Sequence, residues 1–340
     1  MTRAATVVPA VALAAVLAAA CSPNPPVPAA TPSARAAASQ PTGVAPWVDV
    51  TAQPLPDLAA VARSGVRTLN LGFVTAEGGA CRPSWGGTTP IDAPSVTDAV
   101  RAFRDAGGEV RVSFGGADGV ELARACPTSG ALAAAYGEVV AALGVRLVDL
   151  DVEGSTLADA AAVHRRTEAL RTLAADAEER GRPLELTVTL PVEPDGLTAA
   201  AQALLRDAHD AGLRPAVVDV LAMNYAGEPE DLVAAGLGAV DATRAFVASL
   251  WRDDPPRIAA TLMIGVNDIR QQVVRASDAE RFVTAERERG PAWVGFWSLG
   301  RDRPCAAGVA VLSPSCSGTA EPPGAYLAAF SRAAGAVPAG

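Results

Sequence analysis

The stretch Asp149-Leu150-Asp151-Val152-Glu153 sets three carboxylates at every second position of a short, otherwise apolar run. Side chains alternate across a β-strand, so the three acids share one face while Leu150 and Val152 take the other. Alternate Cα atoms lie roughly 6.6 Å apart, close enough for the charges to interact, and in a partly dry site at least one carboxyl keeps its proton near neutral pH. Such a group can protonate the oxygen of a glycosidic bond. Glu153, at the end of the run, is the expected donor. Acids also cap solvated strand ends and bind calcium, but three inward carboxylates are costly to bury without a task, and the spacing and glycine of an EF-hand loop are missing.

The elements that must position these acids follow from the hydrophobic pattern. Eight strand-like runs are expected at 47–50, 68–74, 109–114, 146–153, 184–190, 217–225, 258–266 and 293–299. Amphipathic helical runs at 96–106, 157–180, 197–211, 232–250, 276–289 and 325–334 lie between and after them. Eight strands interleaved with helices predict an α/β fold, the (β/α)₈ TIM barrel, over residues 45–338. An open doubly wound sheet is the rival, but no glycine-rich dinucleotide fingerprint follows the first strand. Barrel chemistry sits at the C-terminal ends of strands. There the chain carries Ser113-Phe114-Gly115-Gly116, the acidic run, Met223-Asn224-Tyr225, Gly265-Val266-Asn267-Asp268 and Phe296-Trp297-Ser298.

Taken together, these strand ends resemble glycoside hydrolase family 18. Asp149-x-Asp151-x-Glu153 is similar to the later part of that family's acidic signature, and Ser113-Phe114-Gly115-Gly116 resembles its Ser-x-Gly-Gly on the preceding strand. Met223-Asn224-Tyr225 resembles the sixth-strand motif, and Trp297 stands where the last-strand tryptophan does. The stretches 47–51, 81–87 and 263–268 resemble a bacterial and archaeal chitinase-like subgroup. The resemblance implies a retaining, substrate-assisted hydrolase with no protein nucleophile, in which the N-acetyl oxygen of the substrate attacks. Glu153 would protonate the leaving oxygen, and Asp151 would orient the N-acetyl group. Asp149 would share a proton or hydrogen bond with Asp151, with Ser113 below it. Tyr225 would donate its hydroxyl to the N-acetyl oxygen, and Trp297 would floor the sugar. Met223, Asn224 and Gly116 would complete the substrate-binding strand ends.

The chain departs from the family pattern at two places. The fuller signature opens with Asp-Gly where Arg146-Leu147 stands, and Ala226 replaces the acid or amide that often follows the tyrosine, leaving Asn224 as an out-of-phase substitute. The implied substrate is β-1,4-linked N-acetylglucosamine. An endo-acting N-acetylglucosaminidase on N-glycan cores and a non-catalytic carbohydrate-binding lipoprotein are the alternatives. No cofactor is expected.

Composition narrows the partners. The net charge is −9 and every basic residue other than His164 and His209 is an arginine, none of them in a basic block, so no nucleic-acid footprint is expected. Arg3 followed by an apolar stretch to Ala20 reads as an export signal over 1–20. Leu17-Ala18-Ala19-Ala20-Cys21 resembles a lipoprotein box, with ordinary cleavage in an Ala-x-Ala context as the alternative. Residues 21–44 form a Pro/Ala/Ser-rich tether. A monomer outside the cell or on its surface is expected, with membrane contact only through a lipid at Cys21. The five cysteines then leave four to pair: Cys305 with Cys316 locally and Cys81 with Cys126, among three possible connectivities. No metal site is expected, since paired Cys-x-x-Cys motifs are missing.

Overall fold

Among the described residues, eight barrel strands alternate with eight main helices in chain order, besides shorter turns and strand pairs in the loops. The strands are β1 (Trp47–Asp49), β2 (Thr68–Ala76), β3 (Glu109–Gly115), β4 (Leu147–Asp151), β5 (Glu185–Glu193), β6 (Val217–Leu221), β7 (Arg257–Met263) and β8 (Val294–Trp297). Each pairs in parallel with its successor. The ring closes beside the residues leading into β1, where Val294 N–H donates to the Gly43 carbonyl (3.0 Å) and Ala45 N–H to the Val294 carbonyl (2.8 Å). This computed structural model describes residues 43–335 apart from 53, 307, 309 and 310, together with residues 1, 2 and 4. Cys21, the tether as far as residue 42 and all but three residues of the export signal lie outside the described residues.

The helices are α1 (Leu58–Arg63), α2 (Pro94–Asp105), α3 (Ser129–Leu143), α4 (Ala160–Glu179), α5 (Ala199–Asp210), α6 (Leu232–Leu250), α7 (Ala276–Arg289) and α8 (Ala325–Ala334). Asp57, Thr128, Asp159, Thr198 and Asp231 each accept a hydrogen bond from a first-turn N–H, which starts five of them sharply. The expected helix at 157–180 is split by its own cap: Gly154–Leu157 is a separate turn, and Asp159 starts α4.

Outward strand residues such as Val148, Leu150 and Val152 enter the apolar layer against the helices. The barrel interior is polar: Asn70, Arg111, Ser113, Asp149, Thr187, Thr189, Asp219 and Thr261 are all buried. Buried polar groups need partners, and most have them. Arg111 Nη1 donates to Asn70 Oδ1 (2.5 Å), with the guanidinium 4.9 Å over the Trp293 ring. Thr261 Oγ1 donates to Asp219 Oδ2 (2.8 Å) and accepts from Trp47 Nε1 (3.0 Å). Below this layer Ala45, Val217, Ala259, Ala292 and Trp293 plug the base.

One buried acid serves the helix layer alone. Glu286 of α7 is 1 % exposed, neither carboxylate oxygen has a hydrogen-bond partner, and the nearest cation is Arg289 Nε at 3.8 Å. Burial outweighs Arg244 and Arg289 and pushes its carboxyl up to about 7. A raised acid binds more protons folded than unfolded, so its stabilising effect holds below the unfolded value and is lost as pH climbs through the folded one. Between pH 5 and 8 the parent is expected to lose on the order of 2 kcal/mol from this residue. Denaturant unfolding of Glu286→Gln at both pH values should show a correspondingly shallower decline, with hydrolysis unchanged.

Candidate active site

The acidic run lies where alternation requires, along the inner face of β4. Asp149 is fully buried, and its two oxygens accept from Ser113 Oγ (2.5 Å) and Thr189 Oγ1 (2.7 Å) on the neighbouring strands. Burial still outweighs these bonds and raises its carboxyl to about 6. Asp151, one step higher, is 2 % exposed and its Oδ1 has no hydrogen-bond partner. Burial first, then the charges of Glu153, Asp149 and Asp219, hold it well above the usual carboxylate range. Glu153 is half-buried at the mouth, and burial with the nearby Asp268 and Asp118 raises it to about 7. The ladder ends at Asp151, two residues earlier than expected, and Gly154 then turns the chain with a left-handed φ of 54°. Glu153 keeps an extended backbone and caps the short turn that follows.

The glycines of Ser113-Phe114-Gly115-Gly116 permit a close approach to this strand. Gly116 N–H donates to the Asp151 carbonyl (2.9 Å). A Cβ on Gly115 would lie 2.0 Å from that carbonyl oxygen, and one on Gly116 2.6 Å from the Phe73 ring. Both have φ near +90° or above (101° and 85°, respectively), where side chains are strained. Ser113 is fully buried beneath Asp149, so it positions that carboxylate and does not reach a substrate. The loop that follows is fastened by the buried bidentate pair Arg166–Glu121 (2.7 and 2.6 Å) and by the disulfide Cys81–Cys126. The second disulfide is Cys305–Cys316.

The sixth strand departs from expectation. β6 stops at Leu221, and Asn224 turns the chain with φ 55°. That left-handed residue reverses the phase expected for Met223-Asn224-Tyr225. Tyr225 is 1 % exposed and packs in the strand–helix layer; a Cβ on Gly236 of α6 would lie 3.4 Å from its hydroxyl. The hydroxyl therefore does not reach the mouth, and the expected donation to the substrate is corrected. Asn224 instead faces inward: its Nδ2 donates to Asp268 Oδ2 (2.7 Å), its Oδ1 accepts from Asp268 N–H (2.9 Å), and Met263 Sδ lies 3.8 Å away. Met223 is half-buried beside it. Gln272 braces the turn by bonding both the N–H and carbonyl of Tyr225 (3.1 and 2.7 Å).

Trp297 at the end of β8 is half-buried and stacks on Phe73 from β2 (centroids 5.4 Å apart, planes 22°), with Trp47 6.3 Å behind. Phe73, Asp118, Asp219 and Asp268 belong to this end of the barrel and were not picked out from sequence. Asp268 ends a stretch already noted at the seventh strand, and alternation from Val217 would have turned Asp219 inward. The departure at Arg146 lies outside: its half-exposed guanidinium bonds Glu109 (2.7 Å) at the opposite end of the barrel. Arg111, not a deep acid, supplies charge within. Arg146→Ala is accordingly expected to leave kcat/KM within about twofold and stability within about 0.5 kcal/mol, as for an exposed pair. A larger loss in steady-state kinetics would place Arg146 in the inner network.

No family model matches the chain. It is 32 % identical over 290 residues to a protein of Escherichia coli described as a probable bifunctional chitinase/lysozyme. The match takes in 81 % of this chain and 32 % of that protein. It is 31 % identical over 280 residues to endochitinase 11 of Metarhizium anisopliae, covering 77 % of the chain and 53 % of the relative. The chain thus spans about a third and about half of these relatives. Among solved structures, the catalytic domain of a hyperthermophilic chitinase from Pyrococcus furiosus superposes with a TM-score of 0.77 at 25 % identity, over 87 % of this chain and 95 % of that one. The chain belongs to glycoside hydrolase family 18. A GH18 chitinase from Pseudoalteromonas aurantia shares the fold at a TM-score of 0.55 and 15 % identity. In family 18 terms, the chain keeps Ser-x-Gly-Gly, the three acids and the last tryptophan around one mouth. It fills the sixth-strand position with an Asn–Asp pair.

Proposed function

We propose that the protein hydrolyses β-1,4-linked N-acetylglucosamine chains with retention, the substrate's own N-acetyl oxygen serving as nucleophile. The observation that carries this reading is the stacked pair at the mouth: Glu153, raised to about 7, directly above Asp151, whose Oδ1 is buried without a partner. The sugar before the scissile bond rests on Trp297, and Glu153 gives its proton to the leaving oxygen. The N-acetyl oxygen attacks C1 as that bond breaks, forming an oxazolinium ion. Asp151 accepts the N–H of the N-acetyl group, orients it and offsets its developing positive charge. Water, deprotonated by Glu153, then opens the ring, restoring the acid and the β configuration.

The chitinase names of the relatives support this substrate class. Two disulfides suit an oxidising compartment, so the export signal and Cys21 are read as placing a monomer outside the cell or on its surface. Fluorogenic N-acetylchitooligosaccharides assayed beside a high-mannose glycoprotein test the reading. Release from the oligosaccharides is expected; release from the glycoprotein alone would assign the chain to N-glycan cores.

A further inference from the structure

We propose that the cleft prefers partly N-deacetylated chains, in which units flanking the N-acetylated sugar at Glu153 carry free ammonium groups. The inference rests on the hydrolase reading and names its substrate more narrowly. Five adjacent strands, β3 to β7, each bring an acid to the same end: Asp118, Glu153, Glu193, Glu228 with Glu230, and Asp268. Their loops (116–128, 152–159, 194–198, 222–231 and 264–275) hold nine carboxylates and three arginines, Arg124, Arg270 and Arg275; Glu121 is neutralised by the buried Arg166 and Asp231 by Arg281 of α7 (3.2 Å), which leaves seven. Arg124 is taken up by Asp159 at 3.5 Å.

The arc is built as well as charged. Asp268 is fixed by the two-bond clasp with Asn224, and Glu193 accepts the Ala226 N–H with both oxygens (3.3 and 3.1 Å). Asp118, Glu228, Glu230 and Asp268 remain exposed. At its centre the unpartnered, 98 % buried Oδ1 of Asp151 awaits a donor from the bound sugar. Asp268 and Asp118 flank Glu153 from different loops, and both act on it as negative charges.

A neutral N-acetylglucosamine chain gains little from such a field. An ammonium within a Debye length gains at low salt, and a glycan bearing carboxylates is repelled. Aromatic contact cannot substitute along the cleft. All fifteen aromatic residues of the chain are among the described residues, and at this mouth only Phe73 and Trp297 are partly exposed. Trp251 and Phe246, also partly exposed, sit at the far end of α6 against His209 and Arg206. The sugar chain beyond one ring must be held by polar and charged groups.

The test is binding of a fully acetylated and a half-deacetylated hexamer to Glu153→Gln by titration calorimetry, at mildly acidic pH where the sugar amines are protonated. Parent hydrolysis of the acetylated hexamer is measured alongside. The half-deacetylated hexamer is expected to bind about tenfold more tightly at low ionic strength, and the preference should vanish near about 0.5 M salt. Adding Asp118→Asn and Asp268→Asn should reduce it at low salt. Equal affinities, or a preference indifferent to salt or to those substitutions, would overturn the inference while hydrolysis of the acetylated hexamer leaves the hydrolase reading standing. Failure of the parent to cleave and of the variant to bind either hexamer would remove both.

Discussion

Glu153→Gln is expected to lower kcat by about 10²–10⁴-fold, the usual worth of a positioned general acid, with KM little changed. Gln keeps the size of the side chain but has no proton to give, so the loss should be confined to the chemical step. The same assignment fixes the pH dependence of the parent. Glu153 must be protonated to act, and burial with Asp268 and Asp118 brings it to about 7. Activity should therefore fall as pH rises through about 7, roughly tenfold per unit above it. Asp268→Asn removes one of the flanking charges, which should move that limb to lower pH. An unmoved limb would mean that another group controls it.

The second large effect concerns Asp151. Asp151→Asn is expected to cost about 10²–10³-fold in kcat, comparable to removing one electrostatic stabiliser of a charged transition state. Two further readouts separate this from damage to the fold. The alkaline limb should stay in place, because the charges that raise Glu153 are those of Asp268 and Asp118. Burial holds the Asp151 carboxyl well above its ordinary range, so the ionised form strains the fold at high pH. By linkage a raised acid weakens the protein as pH rises, and the neutral amide should be at least as stable as the parent at pH 8. A variant that is inactive and also less stable at pH 8 would assign Asp151 a structural role.

The barrel was legible because its signals were periodic. Eight short branched runs were interleaved with six longer amphipathic ones, the helices Leu58–Arg63 and Ser129–Leu143 having gone unread, and the period-2 placement of Asp149, Asp151 and Glu153 could only put them together. The glycines Gly115 and Gly116 were legible as a motif, and their close contacts with Asp151 and Phe73 supply the reason. Cysteine counting made the disulfides legible, but hydrogen-bonded pairings between loops were not. The clasp of Asn224 with Asp268 spans 44 residues and depends on one left-handed residue, which no periodicity announces. That same residue turned Tyr225 into the helix layer, so a motif matched in sequence did not place its hydroxyl. Arg146 illustrates the reverse case. Read along the sequence it displaced an acid of the inner network, yet its side chain leaves the barrel and pairs with Glu109.

The central claim is that the N-acetyl group of the substrate performs the displacement under Glu153 and Asp151. Proton NMR of the first products released from a soluble N-acetylchitooligosaccharide tests it most directly. The β anomer should appear first and convert to the α anomer only by later mutarotation; initial release of the α anomer would show direct attack by water and contradict the account.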